Sequence, residues 1–298
     1  MVSFKARRSE PRLVSPARPT LREAKALSDI DDQHLLRYYE TVVGFFRTCP
    51  GRTGSRPADL KGTIRAALAE ALVYYYPVAG RLREETGGKL VVDCTAEGVV
   101  FVEAEADVRL EEFGELLCDP GGIKAVIGRP LLFMQVTELK CGGFVAGFHM
   151  CHNIADGFEL TVDELSRQPL ADTVELVRKT KLSVTMESMR SMVDTTAYIR
   201  QWPSLTMDRT YEVSDTRWIA AGNGLQLGWA EYVGGGIPLA GDLTSKLGSH
   251  HMRCKNEDGE DSTVVSLLLP RPAMERFKKE MDVWLKKPEK NLVIPSSL

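Results

Sequence analysis

The sequence predicts a mixed α/β fold divided between two domains, and three observations support this. Apolar runs with helical spacing alternate with runs rich in β-branched residues from about residue 35 onward, a pattern typical of α/β domains. The chain has 298 residues, about twice the usual length of one domain. Internal repeats and low-complexity tracts are absent from the sequence, so a solenoid or fibrous architecture is not indicated.

The composition excludes several functional classes. Hydrophobic residues make up 43% of the chain and charged residues 27%, and the net charge is −3, as in an ordinary soluble globular protein. Collagen-like, disordered and strongly basic nucleic-acid-binding classes do not fit. No run reaches the ~18–20 consecutive apolar residues of a membrane span, and no apolar stretch follows the basic N-terminal residues. We therefore expect a cytoplasmic protein without a nucleic-acid or membrane partner. We also expect it to be a monomer.

The N-terminal part begins with a segment that we expect to lie extended along a sheet edge. Residues 3–20 are basic and carry Pro11, Pro16 and Pro19, each of which keeps the preceding residue extended and lacks a backbone donor. Residues 35–46 combine helical spacing of apolar residues with many β-branched and aromatic ones. That segment stays open between a helix and a buried strand.

The clearest predicted helix follows a loop rich in Gly, Ser and Pro at residues 52–59. Its apolar side chains recur at helical spacing and would share one face. Pro77 would end it, since proline lacks the backbone donor that a helix requires. The predicted apolar face consists of Leu60, Ile64, Ala67, Leu68, Ala71, Leu72 and Tyr75.

Four strands follow, separated by turn residues such as Gly87-Gly88 and Gly142-Gly143. They are predicted at Lys89–Cys94, Val99–Val108, Leu131–Leu139 and Phe144–Met150.

Further along, Leu170–Val193 is predicted as a helix, residues 222–241 are rich in glycine, and Thr263–Leu269 is predicted as a strand. A final helix is expected before Pro288, which would close it. Its inward face would hold Met274, Phe277, Met281 and Leu285.

One short motif has the residue types of a catalytic site. His152 follows the apolar strand, Asp156 comes four residues later, and Gly157 comes next. An imidazole at a strand end can face a cleft and, while neutral at pH 7, accept a proton from a hydroxyl or an amine. The same spacing also arises by chance, and a packed histidine beside a loop-capping aspartate is the alternative interpretation.

The surrounding blocks resemble those of the plant BAHD family of acyl-CoA-dependent acyltransferases. That family carries His-x-x-x-Asp-Gly after a strand of its first domain, and His152, Asp156 and Gly157 match it. Within that family, the chain resembles the alcohol acyltransferases, the group of benzyl alcohol O-benzoyltransferase. Further similar blocks are Leu27–Gln33, Tyr75–Arg83, Val92–Val99 and Pro130–Leu132.

The resemblance implies a chloramphenicol-acetyltransferase-like α/β fold of two domains with the active site in a channel between them. His152 would be the general base, with Asp156 and Gly157 supporting the site structurally. Acyl-CoA would be the co-substrate and a small alcohol or amine the acceptor. No permanently bound cofactor and no metal are implied.

A second family signature, Asp-Phe-Gly-Trp-Gly, is degraded here to Gln226–Ala230. Gly228 and Trp229 match it and are expected to support the site structurally. Gln226 replaces an aspartate that pairs with an arginine in the family, and a neutral amide cannot form that ion pair. In the alternative interpretation, Trp229 is an aromatic core residue in a glycine-rich loop.

A larger departure from the family lies between Gly157 and Pro169, the expected domain break. About ten residues stand where the family has a segment the size of a small domain. The predicted organisation is an N-terminal domain over residues 1–160, a junction at 161–169 and the remainder of a C-terminal domain over 170–298, so the fold would be incomplete. A truncated, catalytically inactive paralogue or gene-model product is the alternative to an enzyme. A third hypothesis is a protein-interaction role through the apolar surface that the deletion would leave exposed.

Other candidate sites fit poorly. The glycines around Gly222 lack the spacing of a dinucleotide-binding loop. Cys151 and His152 are adjacent on a strand and would point to opposite faces, which disfavours a thiol–imidazole dyad. The pair His250-His251 has no further ligand at metal-binding spacing, so we expect an exposed polar pair. The six cysteines are scattered without Cys-x-x-Cys spacing, so neither a zinc site nor a disulfide framework is predicted.

Overall fold

The computed structural model describes residues 6–49, 55–108, 126–154, 185–199, 212–215, 217, 228–237, 248–256 and 259–286. The strands are β1 (Ala6–Arg8), β2 (Arg12–Val14), β3 (Ala24–Ala26), β4 (Tyr39–Thr48), β5 (Arg81–Glu84), β6 (Leu90–Asp93), β7 (Val99–Ala106), β8 (Leu132–Leu139), β9 (Phe144–Cys151), β10 (Glu212–Asp215), β11 (Ala230–Gly236), β12 (Gly248–Lys255) and β13 (Asp261–Leu268). The α-helices are α1 (Leu60–Tyr74), α2 (Met186–Ile199) and α3 (Arg271–Lys286), and 3-10 turns cover His34–Leu36, Tyr76–Ala79 and His152–Ile154.

Most of the strands form one large mixed sheet. Its order is β1-β7-β8-β9-β4-β11-β12-β10, with β2 also paired to β7 and β13 to β12. The pairs β7·β8 and β10·β12 are parallel and the others antiparallel. A separate three-stranded sheet has the order β3-β6-β5. This mixed sheet with accompanying helices confirms the predicted α/β class.

The predictions for the first half of the chain are confirmed at the level of whole elements. The N-terminal arm lies on the sheet edge, where β1 and β2 pair antiparallel with β7. The four predicted strands correspond to β6, β7, β8 and β9. The segment left open is a 3-10 turn followed by β4. It is a strand because β9 and β11 pair with its two edges and take up its backbone hydrogen-bonding groups.

Helix α1 packs on the large sheet. It begins after Asp59, whose side chain accepts a hydrogen bond from the Gly62 amide at 2.8 Å, and ends before Pro77. Its buried side chains are Leu60 and Leu72, so the predicted face is narrower than expected: Ala67, Ala71 and Tyr75 are exposed. The core beneath α1 includes Val14, Phe46, Val99, Phe101, Met134, Val136, Phe144 and Ala230.

The second half contributes to the same sheet. Within the glycine-rich stretch, β11 pairs antiparallel with β4 and so joins sequence from both sides of the predicted junction. The predicted strand at Thr263–Leu269 is β13. The junction at 161–169, residues 170–184 of the predicted helix, and Pro288 lie outside the described residues. The part of that helix within the described residues is α2.

The final helix is present as α3, but its predicted inward face is wrong. Phe277 and Met281 are 37% and 38% exposed, and Val283 beside them is 52% exposed. The spacing of apolar residues predicts a helix correctly, yet it does not show whether another element covers the apolar face. Among the described residues, no helix or strand packs extensively over α3.

Candidate functional site

His152 lies at the carboxyl end of β9, where it begins the 3-10 turn His152–Ile154. Its backbone amide donates to the Tyr38 carbonyl at 2.8 Å. Its imidazole stacks on the Tyr38 ring, with the ring centroids 4.8 Å apart and the planes inclined by 21°. The residue is half-buried and its Nδ1 atom is buried. A substrate that reaches this ring must therefore approach it from the side of Nε2.

Asn153 anchors the turn and is fully buried. Its side-chain amide donates to the Asp31 carbonyl at 2.6 Å and to the Gln33 carbonyl at 3.3 Å. These contacts join the turn to a segment more than a hundred residues earlier in the chain. Two of the blocks that resemble the family, Leu27–Gln33 and the motif around His152, therefore meet in space.

The segment that receives Asn153 is itself braced. The Ser28 hydroxyl donates to the Asp31 carboxylate at 2.6 Å and accepts from the Asp31 amide at 3.2 Å. The buried Asp32 accepts from the Leu90 amide at 2.9 Å, and its other oxygen lies 3.3 Å from the Lys89 ammonium. Because a buried carboxylate needs such partners, these contacts stabilise the segment in one conformation.

Another of the resembling blocks supports the end of β9 from a different side. The Cys151 amide donates to the Leu131 carbonyl at 2.9 Å. The Tyr39 hydroxyl donates to the Pro130 carbonyl at 2.8 Å. Burial raises the pKa of Tyr39 well above its ordinary value, so the phenol stays neutral and keeps its proton for this hydrogen bond.

The thiol of Cys151 does not have the properties of a nucleophile. It is fully buried, and its Sγ lies 3.7 Å from Asn153 Oδ1, to which the thiol donates. Burial raises the pKa of Cys151 to about 11, so the thiolate is scarce at neutral pH. The geometry therefore agrees with the argument from the sequence against a thiol–imidazole dyad.

Of the remaining predicted site residues, only Gly228 and Trp229 are described, and they do not lie near His152. Asp156 and Gly157 lie outside the described residues, as does Gln226. Gly228 and Trp229 precede β11 at the Thr48 end of β4, whereas His152 lies at the Tyr39 end. The two ends of β4 are nine residue steps apart, about 30 Å at ~3.3 Å per step.

Trp229 is part of the apolar core at its end of the sheet. Its ring lies 5.7 Å from that of Phe144, and its carbonyl accepts from the Cys49 amide at 3.0 Å. These contacts match the interpretation of Trp229 as a packed aromatic residue, and they give it no contact with the His152 turn.

The described residues contain no group of three or more His, Cys, Asp or Glu side chains that could hold a metal ion. The expectation of an exposed His250-His251 pair is wrong for His250, which is 3% exposed on β12. Burial follows from its position in a strand paired on both sides, which the sequence of the pair did not indicate. Among the described helices, none is long and apolar enough to cross a membrane.

Tyr38 and Asn153 are the residues that the sequence did not single out. Asn153 stands inside the His-x-x-x-Asp motif, and its polar side chain beside the strand end was the available signal. Its acceptors are 120 and 122 residues away in sequence, however, so only the fold identifies them.

Comparisons with known proteins agree with these features. A family model described as "Transferase family" matches residues 5–162. Acyl transferase 1 of Oryza sativa subsp. japonica is 42% identical over an alignment of 485 positions that covers 100% of both chains. Spermidine hydroxycinnamoyltransferase 1 of the same species is 32% identical, over 87% of this chain and 94% of its own. Benzyl alcohol O-benzoyltransferase of Petunia hybrida is 31% identical, over 95% and 94%.

Among solved structures, the chain is similar to the crystal structure of F. sporotrichioides TRI101 complexed with coenzyme A and T-2. The TM-score is 0.56 at 16% sequence identity, over 86% of this chain and 97% of that one. A likeness at this identity concerns the fold, and it confirms the predicted fold class.

Proposed function

The chain belongs to the BAHD family of plant acyl-CoA-dependent acyltransferases, and we propose that it transfers an acyl group from an acyl-CoA thioester to the hydroxyl or amine of a small metabolite. The names of its relatives support transfer to alcohols or amines as the reaction class. Acyl-CoA would serve as a co-substrate, and no metal or permanently bound cofactor takes part in the proposed reaction.

The observation that carries the proposal is the placement of His152. Its ring is stacked on Tyr38, and its turn is tied by buried hydrogen bonds to the segment around Asp31. In the proposed mechanism, His152 Nε2 accepts the proton of the acceptor hydroxyl. The resulting oxygen attacks the thioester carbonyl and forms a C–O bond. The tetrahedral intermediate then breaks its C–S bond, and the CoA thiolate leaves and recovers the proton from the imidazolium.

We assign Asp156 and Gly157 a structural role in the loop after His152, as the family motif implies. General-base assistance of this kind is typically worth ~10²–10⁴-fold in rate. Alignment of the donor, the acceptor and the base can contribute more, so the position of the imidazole matters as much as its basicity.

We further propose that the protein is a monomer located in the cytoplasm. Light scattering after size-exclusion chromatography and imaging of a fluorescent fusion test these two points.

A second candidate function has an observation in its favour. The alignment with the rice acyl transferase spans 485 positions, more than the 298 residues of this chain, so it includes positions that this chain lacks. This difference supports the alternative of an internally truncated, inactive paralogue or gene-model product, with the junction at 161–169. Sequencing the transcript across codons 157–169 distinguishes a genuine short chain from an error in the gene model.

The direct test is acyl transfer by the purified full chain, assayed with acetyl-CoA and benzoyl-CoA against a panel of small alcohols and amines. His152→Ala should lower turnover by about 10²- to 10⁴-fold. His34→Ala is the matched control, because His34 is an exposed histidine in the neighbouring 3-10 turn. Undiminished turnover in His152→Ala would refute the role of His152 as base. Absence of turnover from the wild-type chain on every pair would favour the truncated, inactive alternative.

A further inference from the structure

Two side chains outside the family's His and Asp positions hold the imidazole in place. We infer that Tyr38 and Asn153 are positioning residues for acyl transfer: Tyr38 fixes the plane of the His152 ring, and Asn153 fixes the turn that carries it. The inference rests on the proposed function, because it concerns the residue proposed as the base.

Asn153 is suited to this role by its burial and its geometry. Its amide makes two hydrogen bonds to backbone carbonyls, one of them at 2.6 Å, and its oxygen accepts from the buried Cys151 thiol. The amide donors and the oxygen acceptor of Asn153 are thus all hydrogen-bonded, and the side chain is buried away from water. A side chain held in this way determines the direction in which the adjacent residue, His152, leaves the backbone.

Tyr38 acts on the same residue by two separate contacts. Its carbonyl accepts from the His152 amide, which fixes the backbone, and its ring stacks on the imidazole, which restricts rotation of the side chain. Tyr38 is itself 8% exposed, so its ring has little freedom to move.

Such positioning has kinetic consequences because proton transfer requires the base within hydrogen-bonding distance of the acceptor. A misplacement of about 1 Å can cost ~10²-fold in rate. Loss of positioning lowers kcat while leaving KM near its original value, because neither Tyr38 nor Asn153 is proposed to contact the substrates.

The kinetic test compares Asn153→Ala and Tyr38→Leu with the wild-type chain. We expect kcat to fall by about 10- to 100-fold with KM changed less than about twofold. Tyr38→Phe keeps the stacked ring and should recover most of the kcat lost in Tyr38→Leu. Asn256→Ala is the matched asparagine control, because its side chain forms hydrogen bonds with Glu260 in the turn between β12 and β13, a different turn from the one that carries His152. It should leave kcat unchanged.

A spectroscopic test does not depend on turnover. In a sample with labelled histidine, the His152 signals are identified among those of the five histidines by their loss in His152→Ala. Stacking on Tyr38 should shift the ring-proton signals upfield in the wild-type chain and in Tyr38→Phe, and Tyr38→Leu should abolish the shift. In Asn153→Ala, the His152 signals should broaden or divide as the turn loses its anchor. Circular dichroism confirms that each variant is folded.

The inference is overturned if folded Tyr38→Leu and Asn153→Ala chains keep the wild-type His152 signals, or if their kcat equals that of the wild type. A rise in KM with kcat unchanged also contradicts it, because it would assign the two residues to substrate binding. Failure of the proposed function is a different result: His152→Ala would then retain turnover, whereas the histidine spectra would still report whether Tyr38 and Asn153 hold the ring.

Discussion

Gly235 on β11 lies directly opposite Gly44 on β4, and this pairing brings the two backbones into close contact. A Cβ atom placed on Gly235 would lie 2.1 Å from the Val43 carbonyl oxygen and 2.9 Å from the Gly44 Cα. Gly235 also has a φ of +153°, which L side chains rarely adopt. The strand that joins the later sequence to the first half of the sheet thus requires glycine at this position.

We therefore predict that Gly235→Ala lowers the free energy of unfolding by on the order of 3 kcal/mol, from overpacking together with an unfavourable backbone conformation. Urea denaturation followed by circular dichroism measures it. The control is Gly259→Ala: Gly259 has a φ of +82° but nothing within 4 Å of the added carbon, so only the conformational cost of ~1–2 kcal/mol remains. Equal losses in the two variants would argue against close contact between β11 and β4.

The same strand shows where sequence patterns stop being informative. Helix α1 and strands β6 to β9 were predictable because their apolar spacing or β-branched content is local. Strand β11 was not, since it ends in the run Gly234–Gly236, which has neither pattern and is extended where β4 and β12 pair with it. Local patterns also left residues 35–46, which include most of β4, ambiguous, because the strands that pair with β4 are distant in sequence. They placed the apolar face of α3 inward because the spacing does not show whether another element covers that face.

For the candidate site, the sequence identified His152 through its motif, but not its supports. The contacts of Asn153 with Asp31 and Gln33 cross the whole first half of the chain. A motif describes spacing along one segment, whereas positioning depends on which other segments the fold brings against it.

Burial of Cys151 predicts both low reactivity and a pH-dependent contribution to stability. Because its pKa is about 11 in the folded protein and ~8.5 in an unfolded chain, its contribution to stability is complete below about pH 8.5. That contribution declines as the pH rises towards 11, by at most ~3 kcal/mol. The decline of stability over this range should be shallower in Cys151→Ala than in the wild-type chain. Parallel curves for the two proteins would contradict the raised pKa.

The labelling pattern of the cysteines should follow the same logic. At pH 8, iodoacetamide should modify the exposed Cys141 in the native protein and leave Cys151 unmodified. Mass spectrometry of peptides before and after denaturation gives the comparison, since both thiols should react once the chain is unfolded. Rapid modification of native Cys151 would show that the thiol is accessible and would reopen a chemical role for it.

Substitution of Asp156 should produce a different result from substitution of His152. If Asp156 supports the loop after the motif, Asp156→Asn acts mainly through structure and should reduce the melting temperature or the soluble yield. His152→Ala, in contrast, should keep a normal melting curve while turnover falls by about 10²- to 10⁴-fold, since it removes only the base. A normal melting curve combined with abolished chemistry in Asp156→Asn would assign Asp156 a direct part in the reaction.

Exposed apolar surface in the second half of the chain predicts how the purified protein behaves. Val264 and Val265 on β13 are 45% and 41% exposed. Because neighbouring strand residues point to opposite faces, both faces of this strand are exposed to solvent at its centre. The adjoining helix α3 exposes Phe277 and Met281. By contrast, β1 and β2 at the other end of the sheet carry Arg7, Arg8 and Arg12, charges of the kind that protect sheet edges from association.

We accordingly predict that the chain binds a hydrophobic dye in its native state and has low solubility. Val264→Thr combined with Val265→Thr should reduce dye fluorescence. The control Leu13→Thr should not, because Leu13 is an isolated exposed apolar residue on β2. If the truncated, inactive alternative holds, turnover with acetyl-CoA or benzoyl-CoA is weak or absent, because an internally truncated chain would lack walls of the substrate channel and so lose alignment and water exclusion. A monodisperse, cooperatively melting protein that does not bind the dye and turns over near one per second, within the ordinary range of ~1–10³ s⁻¹, would refute both the dye-binding prediction and that alternative.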